Sequence, residues 1–566
     1  MGYFNYTPTQ NIIYLEPLLF LIIAALLAIW FVQTKAIISF TQAEIVFVLF
    51  IFYIICKSIL LRQFNYTSID FLLFIIALYF GAKSFFANNT NEVNVKILLY
   101  IFTTSLGISI AFALYHYFIT KNAFANIYLP NSSIFGILLA SQLAFVIPLF
   151  FKVKKTVKPT LKLLYVTIIV AATIMLGFTN GRAGWLGFIF AIVYLAYQNL
   201  QNASTKKYIV YSITPLLLAI FSLLFFYKQN SSNGRLLIYK VSATMLQNNW
   251  LLGIGHGNYK VEYNTAQAAY FSVNNINSKE ALLADNTYFA FNDFFQIVVE
   301  NGIVGLLFLI AFGFLVARQI KNMLVNEKNK HLVYAAIASL ICIAIGAMFS
   351  YSLQRFPIIF MAILCFAIVN NYAIKTSIAF TFSLQKNKII NFVAVLFSLF
   401  LCVHFYFAMQ YNFKSNEASD LNRAGFKTKS VAVYNDIYNA QYKDGGTLLA
   451  HAQALYYTNN LLKAKNVITK TKQFYNSNEV YKLSADIENE LGNVAQAEKE
   501  YKIAINMVPN RLITRKKLLD FYVAQKDTLN TIYWAKSITK MKIKIPSSIA
   551  DNIKETAKGI LTKINK

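Results

Sequence analysis

The sequence predicts an all-α protein: a polytopic transmembrane helix bundle followed by a soluble domain of α-helical repeats. Of the 566 residues, 57% are hydrophobic and only 13% are charged, whereas about 25% of the residues in soluble domains are charged. The apolar character ends near residue 408, and the remaining chain has an ordinary soluble composition. We therefore divide the chain into a membrane bundle, residues 1–408, and a C-terminal domain, residues 409–566.

Long apolar runs account for the membrane part of the prediction. A helix of about 20 apolar residues crosses the hydrocarbon core of a bilayer, which is about 30 Å thick. We count about twelve such runs, near residues 12–32, 43–61, 69–86, 97–119, 132–151, 160–178, 183–200, 208–227, 296–317, 332–351, 357–374 and 389–408. The long polar interval at 228–293 is called the outer loop below.

Basic residues orient the predicted bundle, because Lys and Arg are enriched in cytoplasmic loops. Four connections are rich in them: 151–162, 206–207, 318–330 and 375–388. All four fall on one side when every span is counted, so we expect that side to be cytoplasmic. The outer loop and the C-terminal domain would then be periplasmic parts of a multi-pass inner-membrane protein.

Composition also argues against some functions. The formal net charge of +28 could suggest nucleic acid, but the basic residues sit at the ends of apolar runs, where they anchor helices. We therefore expect no nucleic-acid partner. The four cysteines lie inside apolar segments and are typical of small core residues rather than of disulfides or metal ligands: Cys56, Cys342, Cys365 and Cys402.

The C-terminal domain has the spacing of a helical repeat. Residues 480–509 carry small and aromatic side chains that match the 34-residue tetratricopeptide pattern: Ala485, Gly492, Ala497, Tyr501, Ala504 and Pro509. Ala464 and Trp534 fall in neighbouring, more degenerate units. Such repeats usually present a concave surface to a protein partner. The alternative is an appendage that only stabilises the protein.

Two arginines stand out on the predicted outer face. Arg182 lies in a tight turn between two apolar spans, flanked by Gly181 and Gly184, and Arg235 follows the end of another span. A guanidinium can hold phosphate oxygens with two parallel donors. For Arg182 the alternative is an interfacial arginine that extends toward water.

His256 and a pair of polar residues before the ninth span are the other candidates. His256 is the histidine of the outer loop and stands among glycines whose spacing resembles a nucleotide loop, but no predicted strand precedes them. Asn292 and Asp293 lie where the loop returns to the membrane, and a carboxylate there could accept a proton from an attacking hydroxyl. A lone histidine is more often structural, and Asn292 or Asp293 could simply cap a helix.

In this order, these residues resemble the signature region of the O-antigen ligase and O-antigen polymerase superfamily. The region covers about residues 160–320: a Gly-Arg turn, a second Arg opening a large loop, a Gly-x-Gly turn, Asn-x-x-x-Gln and Glu-x-Gly-Ile-x-Gly. Related protein O-oligosaccharyltransferases also carry tetratricopeptide tails.

The resemblance implies glycosyl transfer without metal or other cofactor at the outer face of the inner membrane, as in lipopolysaccharide biosynthesis. The donor would be a glycan on undecaprenyl diphosphate, and the acceptor would be lipid A core, a protein or another glycan. Arginines matching Arg182 and Arg235 would bind the diphosphate and stabilise it as it leaves.

The chain departs from the family pattern at Phe291. Many members have a histidine at this position, which is proposed to activate or orient the acceptor. Asp293 could take this role, His256 could reach across from its turn, or the activity could be changed or lost. Asp293 is favoured slightly because it is nearest in sequence to the missing group.

Three other functions remain as alternatives. A protein O-oligosaccharyltransferase would use the same donor. A polysaccharide or lipid transporter would need charged residues deep in several spans and related halves; the mostly apolar interiors of the spans and the single dominant outer loop argue against it. A non-catalytic envelope scaffold would use the bundle only to display the repeats.

Overall fold

A computed structural model describes residues 37–61, 66–87, 92–120, 131–200, 229–326, 330–383, 388–439 and 444–564. Strand β1 (Ile37–Thr41) leads into α1 (Gln42–Leu60), α2 (Tyr66–Ala87), α3 (Glu92–Thr120), α4 (Ser132–Val153), α5 (Pro159–Phe178) and α6 (Arg182–Asn199). The outer loop contains α7 (Gln229–Asn248), α8 (Tyr259–Val273) and the short α9 (Lys279–Leu283). The bundle continues with α10 (Asp293–Asn326), α11 (Lys330–Phe349), α12 (Phe356–Ser377), strand β2 (Ile378–Ser383) and α13 (Lys388–Arg423).

The C-terminal domain consists of eight further helices within the described residues. They are α14 (Lys427–Tyr438), α15 (Gly445–Tyr457), α16 (Leu461–Thr471), α17 (Asn478–Glu490), α18 (Val494–Met507), α19 (Leu512–Ala524), α20 (Thr528–Lys540) and α21 (Ser548–Ile564). The predicted boundary at 408/409 falls inside α13, so one continuous helix leads from the membrane bundle into the C-terminal domain.

Eight helices of the described residues are long and apolar enough to cross a membrane: α1, α3, α4, α5, α10, α11, α12 and α13. Helices also form at the predicted spans 69–86 and 183–200, as α2 and α6. The predicted spans at 12–32 and 208–227 lie outside the described residues. An all-α membrane bundle is thus confirmed, and the total of about twelve spans stays a prediction.

Helix α4 lies at the centre of the bundle, where 89% of its apolar stretch is buried, and it packs against α6 and α11. The backbones of α4 and α6 touch at two glycines. A Cβ atom added to Gly184 would lie 2.6 Å from the carbonyl carbon and oxygen of Gly136. Small residues allow this kind of close approach between membrane helices. The contact fixes the beginning of α6, which is where Arg182 lies.

The two strands pair at one end of the bundle, antiparallel and with Phe40 opposite Phe380. They were not predicted. Beside them, Glu44 of α1 is fully buried and accepts hydrogen bonds from Tyr79 and from the ammonium of Lys83. Burying a charge is costly unless it is paired and hydrogen-bonded. This cluster meets both conditions, so we assign it a structural role in joining α1 to α2.

The outer loop folds around an apolar core of its own. Leu237, Val241 and Met245 on α7 pack in one cluster with Tyr259 and Tyr263 on α8. The two tyrosine rings stack with their centroids 5.3 Å apart. Because these side chains recur every three or four residues, they share one face of each helix. The outer loop is therefore an ordered part of the protein.

The turn after α7 lies against a kink in α10. At the kink, Gly302 has φ 63° and ψ −154°, and Gly253 in the turn has φ 71°. Backbone hydrogen bonds join the two segments: Ile254 N–H donates to the Val299 carbonyl at 3.1 Å, and Ile303 N–H donates to the Trp250 carbonyl at 2.9 Å. The outer loop is thereby attached to the first spanning segment that follows it.

Helix pairs build the C-terminal domain, as the repeat prediction requires. Helices α17 and α18 pack together across a turn in which Gly492 has φ 78°. Ala485, Ala497 and Ala504 are completely buried, and Tyr501 is buried beside them. These are the positions singled out by spacing. The structure supports helix pairs here, and their assignment to tetratricopeptide repeats stays a prediction.

The C-terminal domain docks on the outer loop through amide side chains. Asn264 on α8 donates to the Asn476 carbonyl at 2.8 Å, and Asn476 donates in return to the Val261 carbonyl at 2.8 Å. The side-chain oxygen (Oδ1) of Asn264 also accepts the Thr287 N–H. A second anchor is Asn510, whose amide donates to three loop carbonyls, those of Ala281, Leu282 and Ala284. The outer loop and the C-terminal domain therefore lie on the same side of the bundle.

Gly302→Ala should lower the free energy of unfolding by about 1–3 kcal/mol, because alanine is strained at this positive φ and has no room. Its Cβ atom would lie 2.3 Å from the Leu251 carbonyl oxygen. Thermal unfolding of the detergent-solubilised protein measures the effect. Gly313→Ala on the same helix is the control, since a Cβ atom there meets nothing within 4 Å. Equal stability of the two variants would contradict the close contact.

Asn264→Ala should loosen the C-terminal domain from the outer loop. The substitution leaves the buried Asn476 carbonyl and Thr287 N–H without this partner, at a cost of about 1–3 kcal/mol for each unsatisfied group. Hydrogen exchange around residues 472–480 should become faster. Asn274→Ala is the matched control, because its exposed amide bonds only to the Tyr270 carbonyl of the same helix. Unchanged exchange in Asn264→Ala would show that the amide pair does not hold the interface.

Candidate functional site

Arg182 begins α6 directly after a tight turn. The turn places Asn180 at φ 52°, a conformation that asparagine tolerates better than most residues. The side chain of Arg182 extends toward α7, where its two terminal nitrogens lie 3.4 Å from the hydroxyls of Ser231 and Ser232. The predicted turn is thus joined to the start of the outer loop, where the second predicted arginine lies.

Arg235 is half-buried on α7, one turn beyond those serines. Burial lowers the pKa of its guanidinium, and the positive charge of Arg182 adds to this effect. No carboxylate among the described residues forms an ion pair with Arg235. The charges of Arg182 and Arg235 repel each other and together create a positive potential, which favours an anionic ligand near them.

Phe291 occupies the position where the family pattern has a histidine, and its ring lies under Arg235. The Arg235 guanidinium is 5.7 Å from the ring centroid, within the range of a cation–π contact. Phe291 has φ 54°, which is unfavourable for a bulky residue and costs about 1–3 kcal/mol. Its carbonyl accepts a long, 3.4 Å hydrogen bond from the Tyr239 hydroxyl.

Aromatic rings connect Phe291 to a further arginine. Tyr351 contacts the Phe291 ring edge-on at 5.2 Å and stacks on Phe289 at 4.4 Å. The guanidinium of Arg355 lies 5.0 Å from the Tyr351 ring and 5.5 Å from the Phe289 ring. Sequence reasoning missed Arg355. Its position in a polar turn between two predicted spans, on the same side as the outer loop, was the signal that could have found it.

Asn292 and Asp293 hold the start of α10. The Asn292 side chain accepts the Phe295 N–H at 3.0 Å, which is the capping role given as the alternative. One carboxylate oxygen of Asp293 accepts the Leu353 N–H at 2.8 Å and the Ser352 hydroxyl at 3.3 Å. Its other oxygen is buried without a hydrogen-bond partner among the described residues. Asp293 thus joins the start of α10 to the turn before α12.

His256 lies beside a second carboxylate, that of Glu300. Its Nδ1 atom is 3.2 Å from the Glu300 Oε2 atom. Glu300 is buried and also accepts the amide of Gln296 at 3.0 Å. The ammonium of Lys57, on α1, donates to the Glu300 carbonyl at 2.8 Å and also to the Leu252 carbonyl. Glu300 was named only as part of the Glu-x-Gly-Ile-x-Gly motif and Lys57 was not singled out, because the contacts of both depend on how the outer loop packs against α10.

A cavity of about 330 Å³ opens next to His256 and Glu300. Its membrane side is lined by apolar side chains of α1 and α2, including Phe47, Phe50, Ile54, Phe71 and Ile75. Its other end is polar and includes Gln296 and Lys260. Burial lowers the pKa of Lys260, and the carboxylates of Asp444 and Glu300 oppose that shift. The cavity is therefore amphipathic.

The C-terminal domain closes part of this cavity. Asp444, Phe474 and Tyr475 belong to its lining, and the Tyr475 ring stacks on Tyr288 at 5.2 Å. The arginines Arg182 and Arg235 lie outside this lining, beyond the aromatic segment that contains Phe289 and Phe291. The structure thus places the predicted residues in three groups: the two arginines, His256 at the cavity, and Asn292 with Asp293 at the start of α10.

Comparison with known protein families matches residues 167–310 to the O-antigen ligase family. The matched part runs from α5 through the outer loop into α10 and contains all five predicted site residues. A search of curated proteins found no significant match to the chain. The family match supports the resemblance to the O-antigen ligase superfamily and, with the apolar helices, an integral membrane protein of the glycan-transfer class.

Proposed function

We propose that this protein transfers a glycan from an undecaprenyl-diphosphate-linked donor to an acceptor hydroxyl at the outer face of the inner membrane. The observation that carries the proposal is that Arg182, which lies 53 positions before Arg235 in the sequence, contacts the turn of α7 next to Arg235, inside the region that matches the O-antigen ligase family. The 3.4 Å contacts of Arg182 with Ser231 and Ser232 hold the two arginines in one place.

The two guanidinium groups would hold the donor diphosphate. In the reaction, the acceptor oxygen forms a bond to the anomeric carbon, and the bond from that carbon to the diphosphate oxygen breaks. The leaving diphosphate gains negative charge, so positive groups already in place stabilise the transition state more than the ground state. The start of α6 contributes in the same direction, because backbone N–H groups at a helix N-terminus favour anions.

The acceptor hydroxyl must also lose its proton to a base. His256 and Asp293 are the candidates, and their surroundings differ. His256 lines the amphipathic cavity, and its Nδ1 atom lies 3.2 Å from the Glu300 carboxylate without the geometry of a hydrogen bond. The carboxylate would stabilise the imidazolium that forms when His256 accepts a proton. One oxygen of Asp293 is occupied by the turn at 352–353. We therefore propose His256 as the base and Asp293, with Asn292, as residues that position the loop, reversing the slight sequence-based preference for Asp293.

The amphipathic cavity is the proposed acceptor site. Its apolar side faces the bundle and would receive a lipid chain, and its polar end would place a hydroxyl near His256. Because Asp444 and Tyr475 line this cavity, the C-terminal domain would contribute to the specificity for the acceptor. Lipid A core, a protein or another glycan remain the acceptor classes. The scaffold alternative is weakened by the grouping of the arginines, since a display platform needs no such site.

Surface glycans of a deletion strain distinguish these alternatives. Loss of glycan from the lipid-bound fraction indicates a ligase, loss from the protein-bound fraction indicates a protein O-oligosaccharyltransferase, and shortened chains indicate a polymerase. If the protein is an enzyme of any of these kinds, undecaprenyl-linked glycan accumulates in the deletion strain. If the protein is a scaffold, the deletion strain keeps that intermediate at its normal level.

The proposed orientation is tested by a reporter fused after Lys566. A reporter that works only in the periplasm should be active there, and activity of a reporter that works only in the cytoplasm would refute the orientation.

Arg182→Ala and Arg235→Ala should each lower glycan transfer in membranes by about 10²–10³-fold, the usual effect of removing one group that stabilises developing charge. The variants should still insert and fold. Lys240→Ala is the matched control on α7, because Lys240 is exposed and pairs with Glu280 at 3.2 Å, away from the arginines. Full activity in both arginine variants would refute the diphosphate site.

His256→Gln and Asp293→Asn separate the two candidate bases. If His256 accepts the proton, His256→Gln should lower transfer by about 10²–10⁴-fold, and Asp293→Asn should cost mainly stability. The pH dependence of transfer, measured for both variants, shows which residue titrates during the reaction. An active His256→Gln variant with an unchanged pH profile would exclude the histidine as the base.

A further inference from the structure

A second cavity, of about 560 Å³, lies between the outer loop and the C-terminal domain. The loop contributes residues around α9, and the C-terminal domain contributes the start of α19 and the end of α20. Five of its lining side chains are cationic and none is acidic: Lys279, Arg515, Lys536, Lys540 and Lys542. We call it the basic cavity. It is separate from the cavity beside His256.

Arg515 is the buried member of this group, with 1% of its surface exposed. Its guanidinium donates to the Pro509 and Ile276 carbonyls, to the Asn277 side chain at 3.1 Å and to the Ser537 hydroxyl at 2.7 Å. All of these partners are neutral. Burial lowers the pKa of Arg515 to about 10, so the group stays charged at neutral pH.

A buried positive charge without a carboxylate is costly. The described residues provide Arg515 with hydrogen bonds that orient it but with no opposite charge. The hydrogen bonds therefore fix the position of the guanidinium, and its charge can attract an anionic ligand in the cavity.

The four lysines of the basic cavity are exposed, and none of their ammonium groups has a hydrogen bond or ion pair among the described residues. Other lysines of the C-terminal domain do pair with carboxylates. Lys465 pairs with Glu488, and Lys472 pairs with Glu500. The further pairs involve Lys502, Lys516 and Lys517. In the basic cavity, by contrast, four lysines without a carboxylate partner among the described residues surround one buried arginine.

We propose that the basic cavity binds a ligand that carries two or more phosphate groups. A phosphate has up to two negative charges and three strong acceptor oxygens, which suits several lysines around one arginine. The volume is that of a small-molecule site rather than of a single ion. Exposed Tyr533 in the lining adds an aromatic surface beside the charges.

This site goes beyond the proposed glycan transfer and does not depend on it. Its ligand could be a soluble phosphorylated saccharide or the phosphorylated headgroup of a lipid, since both offer the same chemistry. In either case, the ligand would bridge the outer loop and the C-terminal domain, because Lys279 belongs to the first and Lys536, Lys540 and Lys542 to the second.

The test titrates the full-length protein, held in phosphatidylcholine nanodiscs, with glucose 1,6-bisphosphate and, separately, with vesicles containing cardiolipin, whose headgroup carries two phosphates. Both titrations use the Arg182→Ala/Arg235→Ala background, so that the proposed diphosphate site does not bind the probe. Adding Lys536→Gln, Lys540→Gln and Lys542→Gln should weaken binding about tenfold or more, because each exposed ion pair contributes a few-fold. These exposed positions leave the fold intact.

A matched triple variant, Lys463→Gln/Lys499→Gln/Lys558→Gln, removes the same charge from exposed lysines elsewhere in the C-terminal domain. It should bind both probes as the background does. A specific loss for the bisphosphate identifies a soluble ligand, and a specific loss for the vesicles identifies a lipid headgroup. Equal binding by the two triple variants, or no saturable binding of either probe, overturns the proposal.

Discussion

The close contact between the outer loop and the kink of α10 is the constraint on which the rest of the site depends. Gly253 and Gly302 let the two backbones meet without side chains between them. Lys57 then holds carbonyls of both segments. This contact sets His256 beside Glu300 and forms one wall of the amphipathic cavity. It also seats the apolar core of the loop, which in turn carries Arg235 and receives the C-terminal domain.

Charged side chains inside the bundle and at its outer-loop end differ in whether they have a partner of opposite charge. Glu44 and Lys83 neutralise each other within the bundle, as burial in an apolar surrounding requires. At the other end, Arg235 has a neighbouring arginine and an aromatic ring but no carboxylate among the described residues. Burying Arg235 without a carboxylate lowers the stability of the fold, and it leaves a positive charge to which we propose that an anionic ligand binds. The same reasoning applies to Arg515, and it ties both proposed sites to one electrostatic principle.

Local sequence signals predicted the parts of the structure that depend on nearest neighbours. Apolar runs predicted helices at all ten spans that fall within the described residues, and spacing predicted the buried alanines of α17 and α18. Predictions failed where a feature depends on distant segments. Strands β1 and β2 pair across more than three hundred residues, and neither is long enough to give a strand pattern. Arg355 lacked a motif, and the motif that contains Glu300 does not say which side chain the carboxylate contacts, so only the neighbours in the fold reveal the contacts of both residues.

By itself, the sequence determined that apolar helices make up most of this chain and that a helical domain follows, and it singled out Arg182 and Arg235 as candidates for an outer face. Hydropathy and short motifs suffice for this, because they are properties of consecutive residues. Only the tertiary structure decided that Arg182 contacts the turn of α7 next to Arg235, that His256 lies at Glu300 rather than at Phe291, and that the C-terminal domain closes part of the cavity. These outcomes depend on how helices pack and where α10 bends, and no local pattern encodes that geometry.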